Sequence, residues 1–224
     1  APYAERLKWI SNFSGSAGRA IIENDKAYLF IDGRYTNQAN QEVDTNFFKI
    51  KHLHDYWNHL KQYKNENKVV TLDASLHSVK EVEKIQKLFF NSKIIFSYLE
   101  KNPIDISWNN QPSRPTSKAF LHDFKYSGES TFSKINRIQK SFILSSIDFY
   151  LLSSLDSIAW LLNLRGNDIK NTPLLFCYAV IPKKGKIELF INKKKILHLI
   201  DNLSDLINFH SFEESCFRRR LTKI

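Results

Sequence analysis

Apolar and polar residues change period several times along this chain. Two apolar runs, Arg19-Ala-Ile-Ile-Glu23 and Ala27-Tyr-Leu-Phe-Ile31, flank the polar triplet Asn24-Asp25-Lys26. The pattern predicts a β-hairpin, with Asn and Asp at its centre because both tolerate positive φ. Asp32-Gly33 ends the second strand, and a helix is predicted over 35–43. A strand over 47–51, a helix over 56–63 and a short β-rich run over 68–72 follow. Ser78 with Glu81 three residues later is a capping-box signature. The helix it opens carries Val79, Val82, Ile85, Leu88 and Phe89 at helical spacing. Residues 93–97 are the next strand. Alternation of strands and helices predicts an α/β layer architecture.

The pattern then breaks. Pro103, Pro112 and Pro115 fall among Asn, Ser and Gln, and proline disfavours continued helix, so a linker is expected, placed at 109–118 and ending near Ser117. Beyond it, a strand over 119–124 precedes a helix capped by Ser130 and carrying Phe132, Ile135, Ile138 and Phe142. A strand over 149–152, a helix over 155–164, and two long β segments over 174–181 and 187–191 come next. Lys183-Lys184-Gly185-Lys186 reads as the hairpin turn between those segments. A helix is expected near Ile196. The order is again α/β, so the chain divides into 1–108, the linker 109–118, and 119–211. Residues 212–224, with Cys216 and Arg218-Arg219-Arg220, form a divergent basic tail.

Composition narrows the function classes. With 224 residues and 42% hydrophobic content there is material for two cores. No apolar run approaches the roughly 20 residues of a membrane span. Glu5, Arg6 and Lys8 occupy the place of a signal-peptide core, so a cytoplasmic protein is expected. The two cysteines, Cys177 and Cys216, form no metal-binding spacing, and Cys177 lies in an apolar strand as a core residue. The net charge of +10 invites a nucleic-acid reading, but the lysines are scattered rather than gathered in one stripe. Methionine is absent, which leaves a removed initiator or a start inside a longer frame.

Candidate chemistry is sparse. His52-Leu-His54-Asp55 places two imidazoles at ligand-like spacing on a strand, against the alternative of a solvated strand end. Gly15-Ser16-Ala17-Gly18 is a small-residue loop that either receives a substrate backbone or serves tight packing or positive φ at its glycines. Asp32 is expected to cap the helix after it. Arg34 offers a guanidinium for a peptide carbonyl or carboxylate, with an internal salt bridge as the competing use. Trp160 and Leu161 are placed on the buried face of their helix. Gly166 is read as an αL helix stop, and Arg165 with Asp168 as an ion pair ordering the turn. No nucleophile–base pair stands out.

Several of these segments resemble one family. Trp9-Ile-Ser-Asn-Phe-Ser-Gly-Ser-Ala-Gly18, the hairpin and Asp32-Gly-Arg-Tyr35 are similar to the first domain of the Xaa-Pro aminopeptidases (aminopeptidase P) of the creatinase class. Trp108 to Pro115 resembles the joint between their domains. Phe124-Lys-Tyr-Ser-Gly128, the stretch from Ser157 through Ile169, and Asn171-Thr-Pro173 resemble their second domain. The order of the motifs carries the match, which covers about residues 3 to 200.

The resemblance implies two creatinase-N-terminal-like domains, each a mixed β-sheet flanked by helices, the first beginning after an initial strand and helix. It implies that the pita-bread catalytic domain, with its two manganese or zinc ions, is absent. This chain is then without catalytic residues, metal ligands or cofactor, and inactive alone. Arg34 is implied to face the peptide cleft, and Arg165 and Asp168 to contact another domain. Homodimers or a separately encoded pita-bread domain are the implied partners. A split-gene subunit, a decayed gene product and a basic nucleic-acid module are the alternatives.

Overall fold

A computed structural model describes residues 1–212 of the chain. The expectations for Cys216 and for the basic tail from residue 213 onward lie outside the described residues. The chain divides into two compact units, Pro2–Ser113 and Arg114–Ile224.

The first unit opens with helix α1 (Arg6–Ser11), which ends at Asn12 in the left-handed region. Strands β1 (Gly18–Ile22) and β2 (Ala27–Ile31) pair antiparallel, with Ile22 opposite Ala27. Their turn is closed by a Glu23 N–H to Lys26 C=O hydrogen bond of 2.7 Å. Neither Asn24 nor Asp25 takes a positive φ, so the left-handed tolerance expected of them is not used. Helix α2 (Thr36–Glu42) carries the chain across to β3 (Phe48–His52), which lies parallel to β2. Helix α3 (Tyr56–Gln62) precedes β4 (Val69–Leu72). Helix α4 (Val79–Phe89) joins β4 to its parallel partner β5 (Ile95–Tyr98).

Central strand β2 explains the core of this unit. Side chains alternate across a strand, so Leu29 and Ile31 face one way and Phe30 the other. Leu29 and Ile31 join Phe13, Ala39, Val43 and Phe48. Phe30 joins Tyr56, Leu60, Tyr63, Leu72 and Ile85. With both faces covered, β2 reads as an uninterrupted apolar run. Ser78 caps α4 by accepting from the Glu81 N–H. The Glu81 side chain binds Arg19 instead of returning to the cap, so half of the capping box forms. Pro103 lies at the first position of helix α5 (Pro103–Ser107), where its missing N–H costs nothing, so the proline-marked region starts as helix.

In the second unit, β6 (Phe120–Leu121) and helix α6 (Phe124–Ser127) lead to helix α7 (Thr131–Leu144), capped by Ser130. Strand β7 (Phe149–Leu152), helix α8 (Leu155–Leu162) and β8 (Leu164–Arg165) follow, with β8 pairing antiparallel to β6. Strands β9 (Cys177–Pro182) and β10 (Ile187–Ile191) form an antiparallel hairpin whose Gly185 has φ 92°. Helices α9 (Lys193–Ile196) and α10 (Ile200–Leu203) return the chain to β11 (Ile207–His210), parallel to β10. The sheet order is β11-β10-β9-β7. Its core joins Ile135 and Phe142 of α7, Ile158 and Leu161 of α8, and Ala179 and Leu189 of the sheet. Cys177 belongs to it, and burial pushes its thiol up to about 12.

Two expectations fail at the end of α8. The αL stop is Asn163, with φ 49°, one turn earlier than Gly166. Gly166 is required by close approach: a Cβ there would lie 2.1 Å from the buried Leu175 side chain. Trp160 is 44% exposed, because on this short helix the inward face is taken by Ile158, Leu161 and Leu162. No helix among the described residues is long and apolar enough to cross a membrane.

Candidate functional site

Two motif-bearing segments meet in the first unit. The Asp32 N–H donates to Ala17 C=O at 3.3 Å, tying the end of β2 to the glycine-rich loop. The Ser16 and Tyr35 hydroxyls lie 2.6 Å apart, and the Tyr35 ring meets Phe13 edge-on. The loop glycines serve packing. A Cβ at Gly15 would sit 2.3 Å from the Phe13 ring, and neither Gly15 nor Gly18 has positive φ.

Asp32 caps the following turn by accepting from the Arg34 N–H at 3.0 Å. The same carboxylate accepts from Arg34 Nε at 2.9 Å and Nη2 at 3.4 Å. The fork fixes the guanidinium plane while leaving the side chain 74% exposed. Arg34 lies 5.7 Å from the centre of the Tyr35 ring. The side-chain and backbone bonds from Arg34 hold the Asp32 carboxyl below its ordinary value. Asp32 in turn raises the guanidinium. The internal salt bridge weighed for Arg34 is thus formed, and the side chain stays open to solvent.

The histidine pair lies next to this loop. A Cβ on Gly33 would come 2.8 Å from His52 Nε2. The His52 and His54 rings are 4.1 Å apart, and His54 Nε2 is 3.2 Å from Asp55. His52 ends β3, whereas His54 and Asp55 belong to a 3-10 turn, so the two imidazoles do not share a strand face. No three His, Cys, Asp or Glu side chains among the described residues are placed to hold a metal ion. The described residues thus do not fit a dinuclear centre.

Arg165 and Asp168 do not pair. Arg165 Nη1 turns back onto main-chain carbonyls, donating to Ala159 of α8 and, at 3.1 Å, to Leu164 of its own strand β8. Burial lowers its pKa. Asp168 points into the interior and meets Lys195 Nζ at 2.5 Å, with side chains 0% and 3% exposed. It also accepts from the Phe176 N–H at 2.6 Å and from Ser117 Oγ at 3.2 Å. One carboxylate thus ties the chain before β6, the segment entering β9, and helix α9. The sequence hides this pairing because Lys195 is the last of three consecutive lysines, and nothing local marks it as the buried one.

Sequence reasoning also missed Lys134. It is buried on α7 and donates to Trp160 C=O at 2.8 Å and Asn163 Oδ1 at 2.6 Å. Removal from water lowers its pKa. Beside it runs an open apolar groove of about 540 Å³, lined by Ile138, Phe142, Tyr150, Leu152 and Trp160 among others.

The chain as a whole is similar to known proteins. Residues 2–97 and 110–221 each match a family described as Creatinase/Prolidase N-terminal domain. A probable Xaa-Pro aminopeptidase P of Laccaria bicolor is 37% identical over 198 residues, covering 86% of this chain and 30% of that protein. One from Paracoccidioides lutzii is 35% identical over 214 residues, covering 91% and 35%. The chain thus spans about a third of the length of the curated relatives it matches. An X-prolyl aminopeptidase of Caenorhabditis elegans, described as a cytosolic enzyme with a di-nuclear active site, superposes with a TM-score of 0.86 at 24% identity. That superposition covers 100% of this chain and 38% of that one, and shows a shared fold. With two successive segments matched and the motif-bearing loops built as described, the chain belongs to the creatinase/prolidase N-terminal domain family.

Proposed function

We propose that this chain frames the substrate cleft of an Xaa-Pro aminopeptidase and performs no hydrolysis by itself. The observation that carries the reading is the pair of back-to-back N-terminal domain matches, in a chain whose described acidic and imidazole side chains do not converge on a metal position. In the whole enzyme a metal pair, when bound, would supply the nucleophile and polarise the scissile carbonyl. This chain's own residues bind and orient. Arg34 is the residue we assign to the peptide: its fork is held by Asp32, and its outer N–H groups face solvent, where a peptide carbonyl or terminal carboxylate accepts them. Tyr35, anchored on Ser16, holds the neighbouring loop in place.

The test is release of arginine from Arg-Pro-Pro with added manganese. The purified chain is expected to give none above the no-protein control. Clear turnover that scales with protein concentration and stops with a chelator overturns the proposal.

A further inference from the structure

His59 sits on α3, only 5% exposed, in the middle of a chain of polar contacts that the aminopeptidase reading does not use. Lys51 Nζ of β3 lies 3.1 Å from its Nδ1. Its Nε2 lies 2.9 Å from the Tyr63 hydroxyl, which donates to Glu23 Oε1 at 2.6 Å in the β1–β2 turn. Lys68 closes the far end, 2.9 Å from Glu23 and 2.8 Å from Glu66.

Donor chemistry assigns every proton in this chain. An ammonium donates and never accepts, so Nδ1 of His59 must be the bare acceptor. Nε2 then carries the hydrogen and donates to Tyr63, whose own hydroxyl hydrogen is committed to Glu23. All the bonds run one way, from Lys51 to Glu23, and the first of them, Lys51 to Nδ1, closes only with a neutral imidazole. Aromatic rings of β2 cover the imidazole, with centroids 4.2 Å away at Tyr28 and 5.3 Å away at Phe30.

We propose that His59 is an acid-sensitive latch: neutral, it ties α3 to β3 by accepting from Lys51, and protonation breaks that tie while Nε2–H keeps its bond to Tyr63. A proton on Nδ1 would face the Lys51 ammonium, turning an accepting contact into donor against donor between two cations. The charged groups around the ring come from every neighbouring element. Lys51 on β3 opposes a charged imidazole, Glu23 in the turn favours it through Tyr63, and Lys68 and Glu66 flank Glu23. Asp55, at the start of α3, shares a polar recess with Lys51 and His59.

Burial and then Lys51 lower the histidine's proton affinity below the ordinary 6.5, and Glu23 offsets this in part. The sign follows. A depressed folded value means the opened state binds more protons, so the latch is intact above 6.5 and is lost as pH falls below it.

Amide hydrogen exchange on the full chain, corrected for intrinsic rates, tests this. The amides of Tyr56–Gln62 should show an opened population that grows by up to about tenfold per pH unit below 6.5. Those of Ile187–Ile191 in the other unit should show no such rise. His59→Gln should abolish the dependence, and Lys51→Met, which keeps the ring but removes the opposing cation, should shrink it. Flat protection of α3 between pH 7.5 and 5 overturns the latch. So does an unchanged pH dependence in either variant. If His59→Gln fails to fold, Lys51→Met alone decides.

Discussion

Asp32 and Asp168 each hold a cation, and the two pairs teach opposite lessons. Asp32 grips Arg34 at the surface, where solvent screens the attraction and such a pair adds little to stability. Asp168 holds Lys195 with both side chains all but sealed from water, and adds bonds from Phe176 and Ser117. There the charges cannot be left unpaired, because the interior offers no water to replace a lost partner. The same chemistry is therefore an orienting device in the first unit and a structural tie in the second.

The largest way to test that contrast is Asp168→Ala. It strands the Lys195 ammonium in the interior and should cost about 3–5 kcal/mol, measured by urea unfolding of the full chain. A loss under about 1 kcal/mol would place the pair in contact with water after all.

Glycines offer a second, smaller contrast. Gly166→Ala pushes a methyl into Leu175, which is 3% exposed and cannot swing away, so a loss of about 1–3 kcal/mol is expected. Gly33→Ala meets the ring of the exposed His52, which can turn aside, and should fall within about 0.5 kcal/mol of the parent. Equal losses at the two sites would contradict the difference in packing.

The smallest effect is expected at Arg34, where Arg34→Ala should leave the neutral-pH urea midpoint nearly unchanged. Its trace should appear in acid. Asp32 is held below its ordinary 3.8 by Arg34, so the stability it supplies is present above that value and lost as pH falls through the lower folded one. The parent should therefore lose more than the variant between neutral pH and about pH 3, as read from paired urea midpoints. Identical acid profiles would remove the pair as an energetic element.

Much of the fold is legible in the sequence because it is written locally. The hairpin at 18–31, the Ser78 and Ser130 caps and the β9–β10 turn each depend on residues within a few positions. What escapes is non-local or too short to show a period. Strand β8 is two residues, and it exists because β6 lies beside it. Strand β11 gains its partner from the parallel edge of β10. Arg165 and Asp168 look like a pair because they stand three apart, yet the bend at Asn163 and the packing of Gly166 on Leu175 aim them at different partners. Lys134 and Lys195 read as ordinary surface lysines, since burial is decided by what folds over them. Arg34 stands out in the sequence only through its motif, and its exposed, Asp32-held fork is visible in the structure.

The claim that separates the two regions is that the buried Asp168–Lys195 pair holds the fold while the exposed Asp32–Arg34 pair adds little to it. The direct measurement is a pair of urea titrations at neutral pH, run side by side on the full chain carrying Asp168→Ala or Arg34→Ala. A strongly lowered midpoint for Asp168→Ala and a parent-like one for Arg34→Ala is the predicted result. Comparable losses in both, or a larger loss at Arg34, would contradict it.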